Sequence, residues 1–124
     1  MNADIVIDKG LAGEAAWLEA RRSGVTATDV AKIMGLSGFG SARSVAEEKR
    51  QGPQPPSEEE EERFWFGHAS EGIIFERLRA IMPPTVGVER CSALYRSRRY
   101  PWLMASPDGF LVEEEIARSL IEAK

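Results

Sequence analysis

The stretch WLMASPDGFLVEEEIARSLIEAK, residues 102–124, decides the fold. Its apolar segments are short and are separated by turn formers, Pro107-Asp108-Gly109 and the glutamates 113–115. That pattern reads as two strands, WLMASPDGFLV and SLIEAK, joined by the EEE turn. Upstream, VGVERCSALYRS (86–97) reads as another strand, joined through a turn at RRYP (98–101). Three short sequential strands predict a small, mainly antiparallel meander at the C-terminal end.

Everything before Pro83-Pro84 reads as helix and loop. Residues 14–22, EAAWLEARR, are strong helix formers with Trp17 and Leu18 on the apolar side, broken by Ser23-Gly24. Thr26 with Asp29 three residues on forms a capping-box pattern, opening a helix to about Met34 with Gly35 as its left-handed end. Ser41 opens SARSVAEEKR, which stops at Gly52. After the loop GPQPPS (52–57), Ser57 and five glutamates start a helix running to about Ile81, because carboxylates favour the positive end of the helix dipole. Helices followed by strands make an α+β chain without internal repeats.

At 124 residues the chain has room for one domain. No apolar run approaches the ~20 residues of a membrane span, and the N-terminus MNADIVIDKG lacks the pattern of a secretory signal. A single cysteine, Cys91, excludes an internal disulfide and a cysteine-cluster zinc site, and reads as a buried small hydrophobe. A reducing cytoplasm fits. The net charge of −4 argues at first against a nucleic-acid partner. The runs Glu58–Glu62 and Glu113–Glu115, however, hold eight of the twenty acids, leaving sixteen bases against twelve acids elsewhere. Affinity for phosphates depends on the face that meets them, so net charge excludes nothing here. The glycines of GLSGFGS match neither a Walker nor a Rossmann spacing.

Three acids and a lysine stand out by their settings. Asp108 lies at or near a strand end, Glu122 and Lys124 leave the same face of a strand, and Glu71 sits on the long helix one turn beyond Gly67. Hard carboxylate oxygens suit Mg²⁺ or Mn²⁺, and a lysine can orient or deprotonate an attacking water. Each signal has a plainer alternative: P-D-G is most often a turn, and E-x-K turns up in any charged chain.

Four ordered blocks change that balance. They are Trp17, Arg21 and GVTATDV (24–30); Trp65-Phe66-Gly67-His68 with Glu71; WLMASPDG (102–109); and LIEAK (120–124). In this order the sequence resembles the PD-(D/E)XK nucleases, specifically the YqaJ-like viral recombinases related to the phage lambda-type exonuclease, over residues 17–124.

The resemblance implies a restriction-endonuclease-like core in a single domain, 1–124, with a helical part at 13–51, a loop at 52–57 and a catalytic core at 58–124. It implies that Asp108, Glu122 and the backbone carbonyl of Ala123 bind Mg²⁺ (or Mn²⁺), that Glu71 completes the site, and that Lys124 activates water. Arg21, Thr28 and Ser106 fall on positions that contact a terminal 5′-phosphate, and a capped helix start beside an arginine suits that task. The family has serine where this chain has Thr28. His68 is read as structural or DNA-facing, and Trp17, Trp65, Phe66, Phe75 and Trp102 as core or cleft packing.

The implied activity is Mg-dependent 5′→3′ exonuclease digestion of linear duplex DNA ends in phage-type recombination, in the cytoplasm of a bacterial or phage-infected host cell. The implied partners are double-stranded DNA ends, a single-strand annealing protein and further copies of the chain. The pattern departs from the family in two places. Thirteen residues separate Asp108 from Glu122, and the sequence stops at Lys124, where the family continues with a strand and a helix. The expectation drawn from that stop is an incomplete domain, with the catalytic strand as an exposed edge. The alternative reading is a nuclease-derived DNA-end-binding module without turnover.

Overall fold

The computed structural model describes residues 2–123. The element order is β1 (Ala3–Asp8), α1 (Lys9–Ala12), α2 (Glu14–Arg21), α3 (Ala27–Ile33), α4 (Ala42–Gln51), α5 (Glu58–Ile81), β2 (Gly87–Arg90), β3 (Ala93–Ser97), β4 (Met104–Ala105), β5 (Gly109–Glu113) and β6 (Ile116–Ile121). The fold class is α+β, as the sequence implies. The chain divides into two compact units, one of Met1–Gln54 with Ser92–Ser106, the other of Pro55–Cys91 with Pro107–Lys124.

In the first unit the helix ends follow their capping residues. The Asp29 carboxylate accepts the Thr26 N–H at 2.9 Å at the start of α3. At its other end the N–H of Leu36 bonds to the Ala31 carbonyl and that of Gly35 to Lys32, a Schellman ending with Gly35 at φ 72°. Ser41 caps α4, which ends on Gly52 at φ 89°. The last-turn carbonyls of Lys49 and Arg50 accept from the Arg22 guanidinium at 3.0 and 2.8 Å, which ties α2 to α4.

The sheet of this unit runs β1-β3-β4, all antiparallel, with Asp4 opposite Arg96 and Tyr95 opposite Ala105. Leu94, Ala93, Met104 and Val45 form its buried apolar set. Val25 donates to the Trp102 carbonyl (2.7 Å) and accepts from the Met104 N–H (2.9 Å), so the start of α3 is held alongside β4. This close approach needs Gly24, where a Cβ would run into the Met104 thioether and sit 2.8 Å from the Trp102 carbonyl.

In the second unit α5 accompanies a sheet of order β2-β5-β6, again antiparallel. Ser57 and Glu60 form the reciprocal capping box at the start of α5. Phe75 is fully buried and is the one buried residue of α5. Gly109 of β5 must lack a side chain, because a Cβ there would collide with the Glu89 carbonyl and lie 2.7 Å from the Phe75 ring. The β5–β6 hairpin turns on Glu114 and Glu115 with φ 51° and 64°, a two-residue turn of the type normally made by Asn-Gly.

Several sequence expectations are corrected. The single meander is two three-stranded sheets. VGVERCSALYRS breaks at Cys91-Ser92 into β2 and β3, and WLMASPDGFLV breaks at Ser106–Asp108 into β4 and β5, each half joining a different sheet. Pro107, which has no N–H to give a ladder, lies in the second break. An N-terminal strand, β1, completes the first sheet. Cys91 is only half-buried. Trp65, Phe66 and Trp102 are 67%, 67% and 57% exposed, so of the aromatic residues assigned to packing only Phe75 is a core residue, with Trp17 half-buried. No described helix is long and apolar enough to cross a membrane.

Candidate active site

In the second unit, Asp108 stands immediately before β5 and is held by backbone bonds on two sides. Its N–H donates to the Ile121 carbonyl at 3.1 Å, and its own carbonyl accepts from Cys91 at 2.9 Å. The half-buried side chain reaches the end of β6, where Oδ2 accepts the Ala123 N–H at 2.7 Å. One carboxylate thus joins the SPDG block to the IEAK block beside the exposed Glu122. Lys124 lies outside the described residues.

Glu71, half-buried on α5, is paired with Arg90 at 3.1 Å, and the Arg90 guanidinium lies 5.2 Å from the centre of the Phe75 ring. His68 is exposed, and its Nδ1 donates to the Phe64 carbonyl one turn back at 2.8 Å, a helical side-chain bond rather than a ligand contact. Among the described residues no group of three histidine, cysteine, aspartate or glutamate side chains is gathered to hold a metal ion. The donors named from the sequence are nevertheless of the right chemistry. Asp108 is anchored by one oxygen, its Oδ1 accepts no hydrogen bond among the described residues, and the Ala123 backbone is next to it. These hard oxygens fit a Mg²⁺-class ion.

The first unit holds the residues read as phosphate contacts. Arg21 ends α2, Thr28 is exposed in the first turn of α3, and exposed Ser106 follows β4, its hydroxyl donating to the Ala93 carbonyl at 3.3 Å. The Arg21 guanidinium lies 4.6 Å from the centre of the Trp17 ring and donates to the Thr26 hydroxyl at 3.2 Å. Burial pulls the Arg21 pKa down, with Asp29 opposing, yet an arginine remains charged at any working pH. Asp29 itself is buried. Burial alone would raise its pKa, but the bond from Lys49 (2.9 Å) and those from Thr26 prevail and hold it below the usual carboxylate value.

Sequence reasoning missed the partners in these contacts. Arg90 opposite Glu71 and Lys49 opposite Asp29 are separated by nineteen and twenty residues, and no local pattern joins such pairs. Asp29 was legible only as a helix start.

The family model for the YqaJ-like viral recombinase domain matches residues 16–124. No curated protein and no solved structure matches the chain significantly. The chain belongs to the YqaJ-like viral recombinase domain family, whose membership implies a phage-type recombination nuclease.

Proposed function

We propose that this chain is a metal-dependent nuclease that hydrolyses phosphodiesters from the ends of linear duplex DNA in the 5′→3′ direction. The observation that carries the reading is the Asp108–Ala123 hydrogen bond. It draws the two most chemistry-bearing blocks of the sequence to one end of the β2-β5-β6 sheet.

In this reading Asp108, Glu122 and the Ala123 carbonyl hold Mg²⁺ or Mn²⁺, with Glu71 joining them once released from Arg90. The ion, when bound, polarises the phosphate and offsets charge on the leaving oxygen. The protein does the rest. The Ala123 amide fixes the direction of the Asp108 carboxylate, and Lys124 takes the proton of the attacking water. Arg21, Thr28 and Ser106 receive the 5′-terminal phosphate, whose dianion offers a guanidinium more charge than an internal diester does. Arg21→Ala then removes the preference for phosphorylated ends while leaving salt-sensitive binding to internal phosphates.

The test is incubation with linear duplex DNA, with and without Mg²⁺. Progressive, Mg²⁺-dependent shortening that EDTA stops supports the nuclease, and release from the 5′ end supports the polarity. Two observations favour a second reading, a DNA-end-binding module without turnover: Glu71 is paired with Arg90, and three acids are not gathered among the described residues. Retention of end-labelled duplex with no shortening under any divalent cation selects that reading.

A further inference from the structure

Thr26 does more than open a helix. Its side chain is buried, at 4% exposure, and its hydroxyl stands between two charged groups. Arg21 Nη2 lies 3.2 Å from Oγ1, and Asp29 Oδ2 lies 3.0 Å from it. A guanidinium only donates and a carboxylate only accepts, so the hydroxyl must accept from Arg21 and donate to Asp29. Both directions of this hydroxyl are therefore fixed.

The chain of contacts closes on itself. The Lys49 ammonium is 2.9 Å from Asp29 Oδ2 and also donates to the backbone carbonyl of Arg21 at 3.0 Å. Four residues from α2, α3 with its cap, and α4 thus form one ring of hydrogen bonds. Lys49 neutralises Asp29, and no carboxylate pairs directly with Arg21 among the described residues. The guanidinium is held at one corner by the Thr26 hydroxyl and on one face by Trp17. Its remaining N–H groups meet no protein acceptor among the described residues, and Asp29 acts on it only through space and through the Thr26 hydroxyl. A carboxylate in the place of that hydroxyl would compete with any incoming anion.

We propose that Thr26 is a positioning residue for terminal-phosphate recognition, its hydroxyl, anchored by Asp29 and Lys49, holding the Arg21 guanidinium oriented and clear of a direct carboxylate bond for a phosphate monoester. This rests on the reading of Arg21 as the phosphate contact. Thr26 touches no substrate in this role and acts through Arg21.

The experiment compares binding of a short duplex carrying a 5′-phosphate with the same duplex carrying a 5′-hydroxyl. Fluorescence anisotropy in EDTA reads it, so that nothing is cleaved, and a thermal melt accompanies each variant. The wild type is expected to prefer the phosphorylated end about tenfold, the scale of a charge-assisted contact. Thr26→Val, which keeps shape but not the hydroxyl, is expected to cut that preference to about twofold or less, and Thr26→Ser to restore it. Loss of the cap alone lowers the melting temperature without touching the ratio. A Thr26→Val protein that melts lower yet keeps the full preference overturns the proposal. Lys49→Met, which leaves Asp29 free to pair with Arg21, supplies the second variant and is expected to lower the preference too. An unchanged ratio there also counts against the proposal. No preference in the wild type defeats the phosphate reading itself, and with it this inference, while a preference kept by the variants defeats the inference alone.

Discussion

Arg90 Nη2 stands 3.1 Å from Glu71 Oε2, across from the long helix and over the buried Phe75 ring. For Glu71 to serve a cation, this pair has to open. The pair is partly exposed, so its cost is that of a screened surface bridge, well under the strength of a buried one. Arg90 also places a positive charge beside Glu71, which opposes cation binding there.

Arg90→Gln is therefore expected to tighten Mn²⁺ binding by about threefold, within the range a half-exposed ion pair supplies. Calorimetric titration of the DNA-free protein measures it. Unchanged or weaker binding counts against Glu71 as a ligand.

The β5–β6 hairpin carries the strand that leads into Glu122, and it turns on two glutamates at positive φ. Non-glycine residues are disfavoured there by about 1 kcal/mol each. Replacing both, Glu114→Asn with Glu115→Gly, is expected to raise the melting temperature, because Asn-Gly suits this turn. A lower melting temperature contradicts the turn assignment.

Asp29 sets an acid limit on the first unit. Its folded pKa is held below the unfolded value by Lys49 and Thr26 against the effect of burial. A depressed carboxylate pKa gives stability that is present above the unfolded value, about 3.9, and lost as pH falls through the folded value. The difference in melting temperature between wild type and Asp29→Asn is thus expected to be constant above about pH 5 and to shrink below about pH 4. A difference that grows on acidification contradicts the sign of the shift.

Helices α2 to α5 were legible because their ends are written locally, whereas the four-residue α1 was not read. Thr26 with Asp29, Ser41, Ser57 with Glu60, and Gly35 and Gly52 each act within one turn of the chain. The sheets were not. β1 pairs Asp4 with Arg96, a contact no window of sequence contains, and the breaks at Cys91-Ser92 and Ser106–Asp108 send neighbouring residues into different sheets. The carbonyl of Asp108 accepts from Cys91, so the second sheet resumes at once after Pro107.

The same division runs through the candidate site. Asp108 and the LIEAK block were legible from motif order, and their joining at Ala123 follows from Gly109 and Ile121 facing each other across β5 and β6. What charge balance each acid meets was not legible, because Lys49 and Arg90 arrive from other elements. Phe64, Trp65 and Phe66 mark a further gap. An apolar run on a helix predicts burial, yet all three are exposed on α5, whose one buried residue is Phe75.

Asp108 is the residue on which the nuclease account turns, and one comparison tests it. Wild type and Asp108→Asn, an exchange that keeps an oxygen able to accept the Ala123 N–H, are each given end-labelled linear duplex with Mg²⁺, while binding of the same duplex is followed in EDTA. The account predicts that cleavage by Asp108→Asn falls by at least about a hundredfold, the scale of losing the charge stabilisation that a cation held by Asp108 would give the reacting phosphate, with duplex binding within about twofold of wild type. Cleavage by Asp108→Asn at the wild-type rate would contradict it.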